Sequence, residues 1–313
     1  MTSLETVALD EERWTLTADR LKKSWARARS LILGLSFAGA ILAALAVQTH
    51  TLYPAASEAA GYAAAVALAL VVVVRAQGLP VGRVQAWVLA DAASQSLQGE
   101  MYQYRTSSGP YGDHLGGNPE AALLERRDDI LKKVRSIQRY TVEPDPKTVA
   151  PLGPLDAEAY VLERVNRQIS RFRVAADHVA AIQGFWQKVE YLLAIAGALL
   201  AAALTFTHNQ AYGAWVAVVT TMCVSVGPDL LAERFAQITV SYRALPDRLT
   251  SILGRWRANH GSLDQLVEQV EATLVKQSQA WVAEADEFLK DAASWAAKDS
   301  PKLGLHARAS RTA

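Results

Sequence analysis

One stretch of this chain carries side chains whose types and spacing could act on an ion: Ala217-Val-Val-Thr-Thr-Met-Cys-Val-Ser-Val-Gly-Pro-Asp229. Thr221, Ser225 and Asp229 fall at i, i+4 and i+8, which puts them on one face of a helix. Two hydroxyls ending in a carboxylate could line a cation pathway, because polar groups in an apolar helix are costly and mark such paths. Pro228 lacks a backbone N–H and could serve as a gating hinge. The same residues also have a plainer use. Thr and Ser can bond back to a carbonyl one turn earlier. Gly227-Pro228 can end the helix, and Asp229 can cap the next one. Both readings stay open.

Little else here resembles chemistry. The six histidines are scattered without the spacing of zinc ligands. The single cysteine, Cys223, lies inside an apolar stretch, so there is no disulfide framework. The glycine-rich loop Thr106–Asn118 lacks a P-loop's Lys-Ser/Thr ending and reads as a flexible connection. We therefore expect no enzyme, no cofactor and no metal site. A net charge of +1 gives no case for nucleic acid.

The elements that position the candidate stretch are four runs without a charged residue: Leu31–Val47, Tyr62–Val74, Tyr191–Phe206 and Tyr212–Val226. With flanks they become spans at about 31–48, 60–76, 190–207 and 211–228, near the length that crosses a bilayer. The chain is 51% hydrophobic yet 20% charged, so a membrane part must share it with a large water-facing part. We expect an all-α membrane protein, with four transmembrane helices in two hairpins and long cytoplasmic helices forming a bundle.

Basic residues set the orientation. Arg20, Lys22, Lys23, Arg27 and Arg29 precede the first span, and Arg75 and Arg83 follow the second. Arg164, Arg167, Arg171, Arg173 and Lys188 precede the third, and Arg234, Arg243 and Arg248 follow the fourth. The connections within the pairs hold no Lys or Arg. By the positive-inside rule, both termini are cytoplasmic and the protein is multi-pass in the cell inner membrane. The cluster from Arg20 to Arg29 could also meet anionic lipid headgroups. Met1–Arg29 is polar and charged, unlike the apolar region of a signal peptide.

The two halves share a plan. A first unit, 1–140, has helices over Asp10–Arg29, Val81–Tyr104 and Pro119–Tyr140 around its spans. A proline-rich linker, 141–154, follows, and a second unit, 155–298, has helices over Pro154–Lys188, Asp229–Ala258 and Leu263–Lys298. Residues 299–313 read as a disordered tail. Asn118 and Ser262 look like N-caps. Two rows at seven-residue spacing, Val165, Phe172, Val179, Trp186 and Val267, Leu274, Trp281, Phe288, Trp295, are seams for packing inside the bundle or between chains. We read a tandem duplication of a two-span unit.

The layout resembles the SLATT superfamily, prokaryotic effector domains with two membrane spans beside cytoplasmic helices. The residues that carry it are Ala159-Tyr-Val-Leu-Glu-Arg-Val-Asn-Arg-Gln-Ile-Ser-Arg-Phe-Arg173 before the third span, with Trp186, then Tyr242-Arg-Ala-Leu-Pro-Asp-Arg-Leu249, and finally Val270-Glu271 and Trp281. In the first half Leu97-Gln-Gly-Glu-Met-Tyr-Gln-Tyr-Arg105 with Gly109-Pro110-Tyr111 matches the segment after the hairpin, though no tryptophan corresponds to Trp281. The resemblance implies a membrane effector of bacterial conflict or immunity. The expectation is an oligomeric membrane protein that forms a gated ion-conducting pore. The alternative is a non-conducting scaffold whose bundle binds a cytoplasmic protein partner. The bilayer is a partner in both cases, and a homo-oligomer in the first.

Overall fold

A computed structural model describes residues 2–50, 52–78, 81–112, 117–145, 152–207, 211–226 and 231–299. The described residues are helical nearly throughout and contain no strand. The α-helices are α1 (Ser3–Thr49), α2 (Pro54–Gly78), α3 (Val81–Arg105), α4 (Pro119–Lys133), α5 (Ala157–Tyr160), α6 (Arg167–Thr207), α7 (Ala211–Val226), α8 (Leu231–Ala258) and α9 (Leu263–Asp299). The protein is therefore all-α.

Helix ends follow local chemistry. Thr2 and Glu5 form a capping box at the start of α1, seven residues before the start expected from the sequence. Asn118 accepts from the Glu120 and Ala121 amides and Pro119 opens α4, as the sequence indicates. The Ser262 hydroxyl accepts from the Gln265 amide at 3.3 Å and caps α9. One boundary differs. The helix expected over Pro119–Tyr140 is α-helical only to Lys133 and continues as a 3₁₀ segment, Arg135–Tyr140. Val134 and Ile137 of that stretch are buried, so core contacts, not helix propensity, set its path.

Two helices are unusually long. α1 has 47 residues, about 70 Å. α5, a six-residue π turn and α6 run on from one another. Each begins in a polar bundle and continues, unbroken, as an apolar rod. Among the described residues three helices are long and apolar enough to cross a membrane: Ser3–Thr49, Pro54–Val74 and Ala157–Phe206. Tyr212–Cys223 is a shorter apolar helix. In α6 none of the most apolar window is buried within the chain, and Tyr191 and Phe206 are 70% and 86% exposed. Such surface is stable only against lipid or another apolar body.

The apolar halves lie side by side. Gly39 sits against Leu68, where an added Cβ would come within 3.1 Å. Ser57 Oγ donates to the Ala46 carbonyl at 2.7 Å, so α2 runs back along α1. Gly197 lies against Val219, which runs α7 back along α6. Ala40 and Ala44 of α1 bury Val218 of α7, with Trp215 and Met222 beside them, and so join the two pairs. Small residues at these crossings let the backbones approach closely.

The polar ends form a two-core bundle. One core joins Val7, Trp14 and Leu21 of α1, Ala86, Ala90 and Leu97 of α3, and Leu123 of α4. The other joins Tyr160, Val165 and Ile169 to Leu245 and Leu249 of α8 and Leu266, Val267 and Val270 of α9. Tyr102 of α3 belongs to the second core, so the first half reaches into the second. The described start of the loop after α3 is tied down by specific contacts. Gly109, at φ +58°, makes a turn that buries Tyr111, and its N–H donates to Asp264 Oδ1 at 2.7 Å. Both ends of the proline-rich segment are docked. The Val142 N–H donates to Thr17 Oγ1 at 3.0 Å, and Arg105 Nε donates to the Gly153 carbonyl at 2.8 Å.

Candidate functional site

The most heavily constructed polar site lies where α3, the start of α6 and α9 meet. Arg164 stands in the π turn Val161–Asn166. Such turns interrupt the regular α-helical hydrogen bonding and are frequent at functional sites. Tyr160, Arg164 and Gln168 are all buried there, between the buried apolar residues Val161, Val165 and Ile169. A guanidinium inside such a core requires a partner. Glu271 of α9 supplies it. Arg164 Nε donates to Glu271 Oε1 at 2.9 Å and Nη2 to Oε2 at 2.8 Å, a bidentate fork. Both side chains are 1% exposed.

The remaining valences are satisfied from both halves of the chain. Arg164 Nη1 donates to Gln98 Oε1 of α3. Gln168 Nε2 donates to the same oxygen at 3.3 Å, and its own Oε1 is buried without a protein partner. The Tyr160 hydroxyl donates to Glu271 Oε1 at 3.0 Å. Arg164 also lies over the Tyr102 ring at 5.0 Å, and Tyr102 meets Tyr160 edge to face. Gly99 leaves room for the carboxylate, since a Cβ there would sit 3.0 Å from Glu271 Oε2. Burial alone would lower the Arg164 pKa, but the charge and hydrogen bonds of Glu271 raise it on balance, so the guanidinium stays charged. Burial, then the Glu271 charge, pushes the Tyr160 phenol up.

Further polar contacts surround this junction. Arg105 pairs with Glu163 at 3.2 Å. Asp10, buried on α1, accepts from Arg13 at 2.8 Å and from Arg127 of α4 at 2.6 Å. Arg127, half-buried, thus bridges buried Asp10 and exposed Asp128. Thr15 of α1 bonds Ser94 of α3 at 2.6 Å, and both bond Glu11, whose carboxyl is raised by burial. Arg171 reaches Asp91 at 3.6 Å, and burial raises that carboxyl too.

The sequence marks Arg164 as a basic residue near a span and, with Glu271, as part of the segments that carry the SLATT resemblance, but does not pair the two. That pairing is invisible to spacing, because 107 residues separate them. A signal was present nonetheless. Arg164 interrupts an apolar helix face at Tyr160, Val161 and Val165, and Glu271 does the same at Val267, Val270 and Leu274. Opposite charges on two apolar faces point to one buried pair.

The candidate stripe is described in part. Thr221 is exposed within the chain, and its hydroxyl donates to the Ala217 carbonyl at 2.8 Å. Thr220 does the same to Val216. Ser225 belongs to α7, but its side chain lies outside the described residues, as do Pro228 and Asp229. In the seven-residue rows, Val165, Val267 and Leu274 are buried in one core, and Phe172 packs against it. Val179, Trp186 and Trp281 are half-buried, and the side chains of Phe288 and Trp295 lie outside the described residues. The tail after Asp299 lies outside them as well. Among the described residues no cluster of metal-binding side chains occurs.

Comparison with known proteins fits the second half most directly. Residues 160–281 match the family model described as SMODS and SLOG-associating 2TM effector domain 1, so the chain carries a SLATT-like effector domain. The match begins at Tyr160 and contains Arg164 and Glu271. Residues 12–116 match a different model, a protein family of unknown function, DUF4231. No curated protein and no solved structure matches the chain.

Proposed function

We propose that the protein is a membrane-embedded effector that assembles into a homo-oligomer and forms a gated, cation-preferring pore. The observation that carries this reading is the continuity of α1 and α6. Each passes from a buried polar junction into an apolar rod that the described residues leave largely uncovered, with 22% of the most apolar window buried in α1 and none in α6. The SLATT-like match supports a two-span effector unit in the second half. We read the first half as a related unit, which makes four spans in two hairpins with both termini in the cytoplasm of the inner membrane.

The apolar helices support assembly. α1 touches α2 and α7, and α7 touches α6, whereas α2 and α6 make no extensive contact among the described residues. A row of four helices encloses no path, so a pore needs further copies. Thr221, Ser225 and Asp229 line the path in this reading, and Pro228 is the hinge. A hydroxyl that donates to its own helix still presents lone pairs to a cation. The outer seam residues Val179, Trp186, Trp281, Phe288 and Trp295 contribute to contacts between bundles. Release of the Arg164–Glu271 junction would free α6 from α3 and α9 and supplies the gate.

Liposome flux tests it. Potassium-loaded vesicles holding the full chain should lose potassium in steps that scale with oligomer content. Retention of the gradient by vesicles with verified, inserted oligomer would favour the scaffold, in which the bundle binds a cytoplasmic protein and the spans only anchor it.

A further inference from the structure

The inner ends of the apolar helices differ sharply in charge between the two halves. From residue 20 to residue 57 the chain holds Arg20, Lys22, Lys23, Arg27 and Arg29 and no acid. From 59 to 90 it holds Arg75 and Arg83 and again no acid. In the second half the stretch 174–207 holds Lys188 against two acids, Asp177 and Glu190, with Arg171 and Arg173 just before it. A bare orientation signal does not require this asymmetry.

Around α1, at about 100° per residue, Arg20, Lys23 and Arg27 fall within roughly 60° of one another, and Lys22 stands about 100° from Lys23. Arg20, Lys22, Lys23 and Arg27 are exposed on α1. Arg27 Nε donates to the Lys23 carbonyl at 3.3 Å, and Arg29 lies over the Trp25 ring at 5.6 Å. The Thr15–Ser94 contact sets α3 antiparallel to α1. Arg83, eleven residues before Ser94, therefore stands level with residue 26 of α1, eleven after Thr15. With about 1.5 Å rise per residue, Arg27 lies roughly 6 Å and Lys23 roughly 12 Å below Leu31, where the apolar rod begins. Long cationic side chains reach upward from such positions. Arg27 falls within about a Debye length, roughly 8 Å, of the start of the rod at physiological salt, and Lys22 and Lys23 approach it through the length of their side chains.

We propose that this face, formed by α1 and the start of α3, is a selective docking surface for anionic phospholipid headgroups, with Lys22, Lys23, Arg27 and Arg83 as phosphate contacts and Trp25 at the interface. In the second half Arg167, Arg171 and Arg173 stand 17 residues or more before the third span, about 26 Å, so the first half is the main contact for lipid charge. The inference rests on the membrane reading above but not on conduction.

The test uses the full chain in nanodiscs of phosphatidylcholine and phosphatidylglycerol. Lipid retained after transfer to mild detergent is counted by native mass spectrometry. Phosphatidylglycerol should be enriched at least about fivefold, the gain expected from one cation near a charged surface. Enrichment should fall at 0.5 M salt, on the order of one Debye length of 4 Å. Lys22→Gln/Lys23→Gln/Arg27→Gln should bring it close to parity. Arg255→Gln/Arg257→Gln, exposed at the far end of α8, should leave it unchanged. Equal retention of both lipids by the wild type overturns the proposal, as does equal loss in the two variants. Displacement of lipid by millimolar inorganic phosphate overturns the assignment to a membrane surface. If the triple variant does not fold, the wild-type enrichment and its salt dependence decide alone. A wild type that inserts in neither lipid sinks the membrane reading instead, and one that inserts without preference sinks only this inference.

Discussion

Replacing Glu271 by glutamine keeps the shape of the buried fork and removes its charge. Arg164 is then a buried cation without a counter-ion, 1% exposed and held between α3 and α9. Breaking a buried pair on one side costs about 3–5 kcal/mol. At this chain length about 1.5–2 °C of midpoint accompanies each kcal/mol, so the thermal midpoint should fall by roughly 5–10 °C. Arg164→Met should cost a similar amount, because it strands the carboxylate. Arg164→Met/Glu271→Met removes both charges and should recover most of the loss, short of the Tyr160 hydroxyl and Gln98, which lose their partners. The assay is thermal unfolding of the detergent-solubilised full chain, read by tryptophan emission, arranged as a double-mutant cycle. A Glu271→Gln midpoint within about 1 °C of wild type would refute the claim that this pair ties the halves together. So would a double variant as unstable as the sum of the singles.

Three further outcomes follow from the packing. Gly99→Ala should destabilise by about 1 kcal/mol despite the better helix propensity of alanine, because its Cβ would press Glu271 Oε2; unchanged or raised stability in the same melt would show that the carboxylate yields freely. The Glu11 carboxyl is raised above 4.5 by burial, so between 4.5 and that higher value the folded chain binds more protons than the unfolded one, and stability gains as pH falls through the window. Glu11→Gln should therefore be more stable than wild type at pH 7.5, with an advantage that shrinks toward pH 4.5; midpoints measured across that range that diverge on acidification contradict this. In a Cys223→Ser background, Glu58→Cys at the outer end of α2 should react with an impermeant thiol reagent in intact spheroplasts, whereas Ser24→Cys should react only after lysis, and the reverse order would invert the topology.

The helices were legible because their causes are local. Asn118-Pro119 and Ser262 cap helices where their side chains can reach the first amides. The apolar runs stand out because no charge interrupts them. The sequence also shows the inner members of the seven-residue rows, Val165 and Val267, as positions that seek a partner, and they share one core. What stayed hidden depends on contacts between distant residues. Helix α1 absorbs both the charged segment and the apolar run into one rod, which no cap or proline between Asp10 and Val47 forbids. The 3₁₀ path of Arg135–Tyr140 follows from burial of Ile137. The junction of α3, the π turn before α6 and α9 draws Gln98, Arg164 and Glu271 from separate parts of the chain, and spacing along the sequence does not say which of them meet.

The central claim, that α7 and its copies line a cation pathway, is met most directly by the reversal potential of the full chain in a planar bilayer under a potassium chloride gradient. The account predicts stepwise current with a modest cation preference, a preference that Asp229→Asn weakens and Asp229→Lys abolishes or inverts. Current whose selectivity ignores Asp229→Lys would move the pathway to another helix, and no current from inserted, verified oligomer across voltage and tension would contradict the pore.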